Sequence, residues 1–297
     1  MISYNTRELT LRAIESLFEH AGPVTFQLIV WDNNSRDGSA DAIAQAFPTV
    51  ALIRSSENVG FAQANNAVAA MARTEWLLLL NPDTEVHPAA VANLLAFAKQ
   101  HPDAGIVGGR TVYPDGSLNP ASCWNRMTCW GLFCSALGLS KAFPRSSLLN
   151  PEGIGGWRRD SVRRVDIVVG CFFLISRSLW EELGGFRTKY FMYGEESDMC
   201  LRARRLGFRP MITPDAQIMH LVGASTPKQV EKRVAVMRAK ATLIRDHWHR
   251  ASAPVGLALL TAWSASRRFA SAVSGPPDGR ALWAEVWRRR KEWLAGY

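Results

Sequence analysis

Long apolar runs are missing from this 297-residue chain: no stretch of about eighteen apolar residues occurs, so no membrane-spanning helix is expected. The start, Met1-Ile2-Ser3-Tyr4-Asn5, has no basic stretch leading into an apolar one, which argues against a signal peptide. Cysteine is scarce. The five residues Cys123, Cys129, Cys134, Cys171 and Cys200 are odd in number and never in C-x-x-C spacing. Neither a disulfide framework nor a zinc site is indicated, and a reducing cytoplasm fits best. Internal repeats and low-complexity tracts are absent as well. What is present, 47% hydrophobic residues, can bury a full core in one large domain with an appendage or in two small ones.

Charge is unevenly placed. Residues 1–227 hold equal numbers of acids and bases, whereas residues 228–297 hold fourteen Lys and Arg against five Asp and Glu, so the whole excess of +9 lies there. A uniformly basic enzyme would point to nucleic acid. A neutral body with a basic tail points instead to surface attachment, and no nucleic-acid partner is expected.

Strand and helix patterns alternate along the body. Leu9 to His20 reads as a helix, Gln27 to Trp31 as a strand, Ser39 to Phe47 as a helix and Val50 to Arg54 as a strand. Gly60 to Arg73 is helical, Glu75 to Leu80 a buried strand, and Pro88 to Gln100 helical again. Such alternation predicts βαβ units and a mostly parallel central sheet with its ligand beyond the carboxyl ends of the strands. Thr111 to Arg164 shows little periodicity. Val165 to Ser176 reads as one continuous strand, Ser178 to Leu183 and Glu195 to Leu206 as helices, and Pro210 to His220 as a last strand.

Five places can carry chemistry. Asp83, in Asn81-Pro82-Asp83-Thr84-Glu85, follows a buried strand, where a carboxylate can reach a phosphate-bound cation; alone, Asn-Pro-Asp is also an ordinary turn. Asp32 ends a strand and opens the polar run Asn33-Asn34-Ser35-Arg36-Asp37-Gly38, a place to accept a hydrogen bond from a base while backbone amides meet phosphate. Asn58, Gly60, Phe61 and Asn65 lie at a helix start suited to an anion or a ribose. Glu195, Glu196 and Asp198 open a helix after an aromatic run. They complement its dipole, and one of them can act as a general base whose pKa is raised by its neighbours. His220 at a strand end is a structural residue or a metal ligand.

Taken in order, these segments resemble the family 2 glycosyltransferases of the GT-A fold, in particular the rhamnosyltransferase-like branch. The resemblance runs over about residues 2 to 225 and rests on Ser3-Tyr4-Asn5, the run from Asp32 to Ser39, Asn58-Val59-Gly60-Phe61-Ala62 and Leu80 to Thr84. It continues through Gly170-Cys171-Phe172, Gly184-Gly185-Phe186, Phe191 to Arg202, and His220. It implies a GT-A domain over 1–225 followed by a helical, basic region over 226–297. It also implies donor contacts from Ser3, Tyr4, Asn5, Asp32, Asn34, Asn58, Gly60, Phe61, Asn65 and Asp83. A divalent cation, Mg or Mn, would be held by Asp83 and His220. Glu196 stands where the family places its base, with Glu195 and Asp198 on the acceptor side. The implied reaction is an inverting transfer of a sugar, rhamnose among the candidates, from a nucleotide diphosphate to a saccharide or lipid-linked acceptor hydroxyl in envelope polysaccharide or glycolipid synthesis.

Two features depart from the family pattern. Only Met1-Ile2 precedes Ser3-Tyr4-Asn5, where relatives carry a longer apolar strand, so a misplaced start or a truncated product is expected. Arg187 stands where an Asp commonly follows Gly-Gly-Phe. In the tail, Leu282, Trp283, Val286, Trp287, Trp293 and Leu294 alternate with Arg288 to Lys291, as on a helix lying in the headgroup layer of an anionic membrane; packing back onto the body is the other reading. The expected location is the cytoplasm, peripheral at the inner face of the plasma membrane. Two other classes stay open: a sugar-nucleotide-binding protein without turnover, and a membrane-surface interaction protein with a vestigial pocket.

Overall fold

The computed structural model describes residues 1–221 and 229–297. The chain begins with β1 (Ile2–Ser3), α1 (Arg7–His20), β2 (Ile29–Asp32), α2 (Ser39–Ala46), β3 (Ala51–Arg54) and α3 (Gly60–Met71). Next come β4 (Trp76–Leu80), β5 (Thr84–Val86), α4 (Ala90–Gln100) and β6 (Ile106–Val112), then the short strands β7 (Leu118–Asn119) and β8 (Cys123–Trp124). After α5 (Cys129–Ala136) and α6 (Leu139–Ala142) follow β9 (Arg163–Arg164), β10 (Ile167–Val168), β11 (Phe172–Ser176), α7 (Arg177–Glu182), α8 (Glu195–Arg205) and β12 (Met211–His220). The C-terminal helices are α9 (Gln229–His247), α10 (Ala253–Ser274), α11 (Pro277–Arg288) and α12 (Arg290–Ala295).

These elements form two compact units. The first comprises Met1–Trp124, Arg158–Phe191 and Glu195–Ser225; the second comprises Asn125–Trp157, Met192–Gly194 and Thr226–Tyr297. The boundary between Ser225 and Thr226 coincides with the expected one, and the second unit also takes in two earlier segments. Residues 125–157, which lack periodicity in the sequence, join the C-terminal helices because α5 supplies a buried face to α10.

In the first unit, β1, β2 and β3 are parallel, in the βαβ arrangement expected. A seven-stranded sheet runs β4-β11-β6-β12-β5, with β7 and β9 on its margins. It is mixed: β6 and β12 are parallel, while β11 pairs antiparallel with both β4 and β6, and β5 with β12. The expectation of a mostly parallel central sheet is corrected here. Continuous apolar runs mark burial on both faces but not strand direction, and β4 and β11 are buried on both. α1 buries Thr10, Ala13, Ile14 and Leu17 at helical spacing against this core, which also holds Val30, Leu94, Phe172 and Ile218. Gly109 in β6 is required by close packing: a Cβ there would sit 2.1 Å from Ala216 O.

The expected strand from Val165 to Ser176 is two. β10 pairs with β8, β11 pairs with β4 and β6, and residues 169–171 cross between the two sheets. That break sets Gly170 and Cys171 at the site described below.

The second unit has its own core of Leu132, Val234, Met237, Ala241, Ile244, Leu260, Val286 and Trp293, against which Leu282, Trp283 and Leu294 pack. The tail is not one continuous helix with an apolar face open to a membrane. It turns at Arg289 into α12, and Trp293 is fully buried with its Nε1 donating to Val286 O at 2.9 Å. Two of its bases are matched by acids within the unit: Arg288 by Glu285, and Arg289 by Glu231 and Glu292. Among the described residues, no helix is long and apolar enough to cross a membrane.

Candidate active site

The site is built at the carboxyl ends of strands in the first unit. Register aligns Ser3, Asp32 and Arg54 at the ends of β1, β2 and β3. Asp32 is buried; its Oδ2 accepts from Ser35 N at 3.1 Å. Asn5 takes a left-handed conformation (φ 51°) and ties this loop from the other side, donating its N–H to Ser35 Oγ and accepting from Arg36 N through Oδ1. Ser3 is buried and hydrogen-bonds Thr10 at 2.9 Å, so it braces the strand end. Tyr4 is exposed beside it.

Asn33, which the sequence reading did not single out, makes the long-range bonds. Its Nδ2 donates to Asn58 Oδ1 at 2.9 Å, and its Oδ1 accepts from Val59 N at 3.0 Å. Asn34 is instead a left-handed turn residue (φ 67°). Asn58 also accepts from Gly60 N at 3.0 Å, fixing the start of α3. Gly60 has φ 81°, and a Cβ there would meet Phe191 O at 2.5 Å, so only glycine fits. Phe61 N donates to the same Phe191 O. Asn65 turns its amide onto Phe61 O, one turn back in its own helix, its Nδ2 donating at 2.9 Å. The adjacent Asn66 closes on Phe186 with both ends of its amide.

A Cβ on Gly170 would lie 3.6 Å from the Phe61 ring and 3.9 Å from Glu196 Cβ, so the strand break sets these three together. One residue on, Cys171 O accepts from Asn81 N at 3.1 Å, and Asn81 leads through Pro82 to Asp83. Asp83 and His220 are both buried, with Oδ1 and Nε2 3.4 Å apart. Pairing of β12 with β5, and an Asn119 Nδ2 bond to His220 O at 3.1 Å, set His220 there. Burial opposes the charged imidazolium, but the Cys171 sulfur and the Asp83 carboxylate outweigh it and hold the His220 pKa up at about 10. Asn119 does not stand out in the sequence, and Cys171 does so only as part of Gly170-Cys171-Phe172; the strand registers bring both here.

Glu195 and Glu196 open α8. Burial, followed by the charge of Glu196, pushes the Glu195 carboxyl well above the usual range. Asp198 is fully buried and engaged by Arg187 Nη1 at 3.2 Å and Arg202 Nε at 2.7 Å, so its carboxylate anchors α8.

Among the described residues, Asp32 Oδ1, Asn81 Oδ1, Glu195 Oε2 and His220 Nδ1 are buried without a hydrogen-bond partner. Buried polar atoms without partners are costly, and three of these four stand at or just beyond strand ends, where a polar ligand can meet them. The chain matches the family model described as Glycosyl transferase family 2 over residues 1–184. It belongs to the family 2 glycosyltransferases. This glycosyltransferase is 29% identical over 223 residues to the N-acetylglucosaminyl-diphospho-decaprenol L-rhamnosyltransferase of Mycobacterium tuberculosis, covering 70% of each chain. It is 24% identical to the O-antigen biosynthesis protein RfbC of Myxococcus xanthus, over 84% of this chain and 18% of that one. The fold is of GT-A type. A mannosyltransferase from Pyrobaculum calidifontis, solved with GDP-Man and Mn2+, superposes with a TM-score of 0.58 at 20% identity, over 99% of this chain and 81% of that one. TarS residues 1–349 of S. aureus, solved with UDP-GlcNAc, gives 0.56 at 15% identity, over 99% and 80%.

Proposed function

We propose that this glycosyltransferase moves a sugar, in the rhamnose class, from a nucleoside diphosphate to a hydroxyl of a saccharide or lipid-linked acceptor, with inversion, in envelope polysaccharide or glycolipid synthesis. The observation that carries the reading is that Asn33, beside Asp32, bonds Asn58 and so the start of α3, that Gly170 lies close to both the Phe61 ring and Glu196, and that Cys171 holds Asn81 next to the Asp83–His220 pair. Asp32 Oδ1, buried and unsatisfied, is an acceptor for a base N–H. Glu196 takes the acceptor proton as the hydroxyl attacks the anomeric carbon, and one displacement with one base inverts that centre.

A carboxylate and an imidazole beside unsatisfied oxygen and nitrogen atoms suit a Mg or Mn ion that keeps other positions for phosphate oxygens. Asp83 and His220 would hold it, and such an ion offsets charge on a departing diphosphate. Asp83 and His220 are oriented by the β5–β12 pairing whatever occupies the site. The test is diphosphate release from a nucleotide sugar with and without divalent metal, in wild type and Glu196→Gln. Donor binding without any release would leave a sugar-nucleotide binder and overturn the assignment.

A further inference from the structure

The apolar face of the C-terminal tail is consumed inside the second unit, yet another apolar surface of that unit stays open. From Asn125 to Pro151 there is no Asp or Glu; the charges are Arg126, Lys141 and Arg145. Within this segment Trp130, Phe133 and Leu137 recur at three- and four-residue spacing, so they form one stripe along α5 and just beyond it. They are 45%, 40% and 61% exposed. The other side of α5 buries Leu132, Cys134 and Ala136 and packs on α10.

The stripe is built rather than loose. The Trp130 and Phe133 rings stack with centroids 5.6 Å apart. Trp130 Nε1 donates to Leu148 O at 2.7 Å, which brings the exposed Leu148 alongside, and Ser140 Oγ ties the same loop at Leu149 O, 2.8 Å away. A fixed cluster of exposed apolar side chains marks an interaction surface.

Charge selects the partner. Lys141 and Arg145 are exposed on the segment that Ser140 and Leu148 tie to the stripe, and no acid lies between Asn125 and Pro151. A second copy of the chain would set this positive surface against itself. Aromatic and aliphatic side chains within a cationic margin match the headgroup layer of an anionic bilayer. We propose that the stripe of Trp130, Phe133 and Leu137, with Leu148, docks the second unit on an anionic bilayer surface, Lys141 and Arg145 lying at its margin. The proposal does not depend on the donor or the acceptor.

The experiment is co-sedimentation of the full chain with vesicles of phosphatidylcholine alone or mixed with phosphatidylglycerol. Wild type partitions at least tenfold more strongly onto the anionic vesicles. The double variant Phe133→Glu/Leu137→Glu loses at least tenfold of that partitioning, with circular dichroism and donor hydrolysis unchanged. Lys141→Glu/Arg145→Glu keeps the apolar stripe, so it tests the charge even if the first variant folds poorly; it weakens anionic binding several-fold. Unchanged binding in both variants overturns the proposal, as does equal wild-type binding to both vesicle types. A lipid-free dimer that Phe133→Glu/Leu137→Glu dissociates, with no vesicle binding, overturns it in favour of a second copy. Loss of sugar transfer with intact vesicle binding bears on the proposed function alone.

Discussion

Arg202 Nε lies 2.7 Å from Oδ2 of the fully buried Asp198, and the same guanidinium reaches Leu183 O and Gly185 O. The pair fastens the first turns of α8, which carries Glu195 and Glu196, to the Gly184-Gly185 turn. Arg187 shares Asp198 from the exposed side, so the residue that departs from the family pattern has a carboxylate partner within the same network.

Removal of either member of the Asp198–Arg202 pair strips a buried charge of its nearest partner. Asp198→Ala or Arg202→Ala is expected to cost about 3–5 kcal/mol in denaturant unfolding. Arg187→Ala, at 43% side-chain exposure, is expected to cost about 0–1 kcal/mol. Equal losses from Arg187 and Arg202 would refute this ranking.

Glu196→Gln keeps size and shape but cannot accept a proton. Transfer is expected to fall by a factor of about 10² to 10⁴, with donor affinity nearly unchanged. Near-normal transfer in Glu196→Gln together with its loss in Glu195→Gln would move the base to the neighbouring residue.

Asp83 and His220 form the candidate cation site. Calorimetry with a nucleoside diphosphate and manganese is expected to show metal-dependent binding in wild type, abolished in Asp83→Ala and weakened in His220→Ala. Metal dependence that survives in both variants would place the cation elsewhere.

Glu195 has a pKa raised by burial and by the charge of Glu196. A carboxyl raised in the folded state contributes its stability fully below the unfolded value of about 4.3, and loses it as pH rises through the folded pKa. Glu195→Gln removes that dependence. Its Tm is expected to exceed that of wild type by a margin that grows from pH 4 to pH 8. A margin constant across this range would mean Glu195 ionises normally.

Trp293 fills the core of the second unit. Trp293→Ala is expected to destabilise the chain by about 3–5 kcal/mol, read as a fall in the denaturation midpoint, because a cavity replaces the indole. A variant as stable as wild type that fails to bind vesicles would return the tail to the membrane.

Much of the first unit was legible from local pattern. The helices α1 to α4 and the strands β2 to β4 lie within a few residues of the spans that periodicity predicts, because each buries one repeating face. Asp32, Asp83, Glu196 and His220 were visible as polar residues that end strands or begin a helix. The ordered segments around them carry the resemblance to the family 2 glycosyltransferases, and the family model over residues 1–184 shows the membership. Tertiary structure decided what depends on partners distant in sequence. An apolar strand looks the same whichever way its neighbours run, so the antiparallel insertion of β11 between β4 and β6 was hidden. The bonding of Asn33 depends on Asn58, twenty-five residues away, and the setting of His220 depends on Asn119 and Cys171. The tail shows the same limit: an amphipathic helix has one apolar face whether it meets lipid or protein, and only the core of Leu132, Leu260 and Val286 around Trp293 determined which.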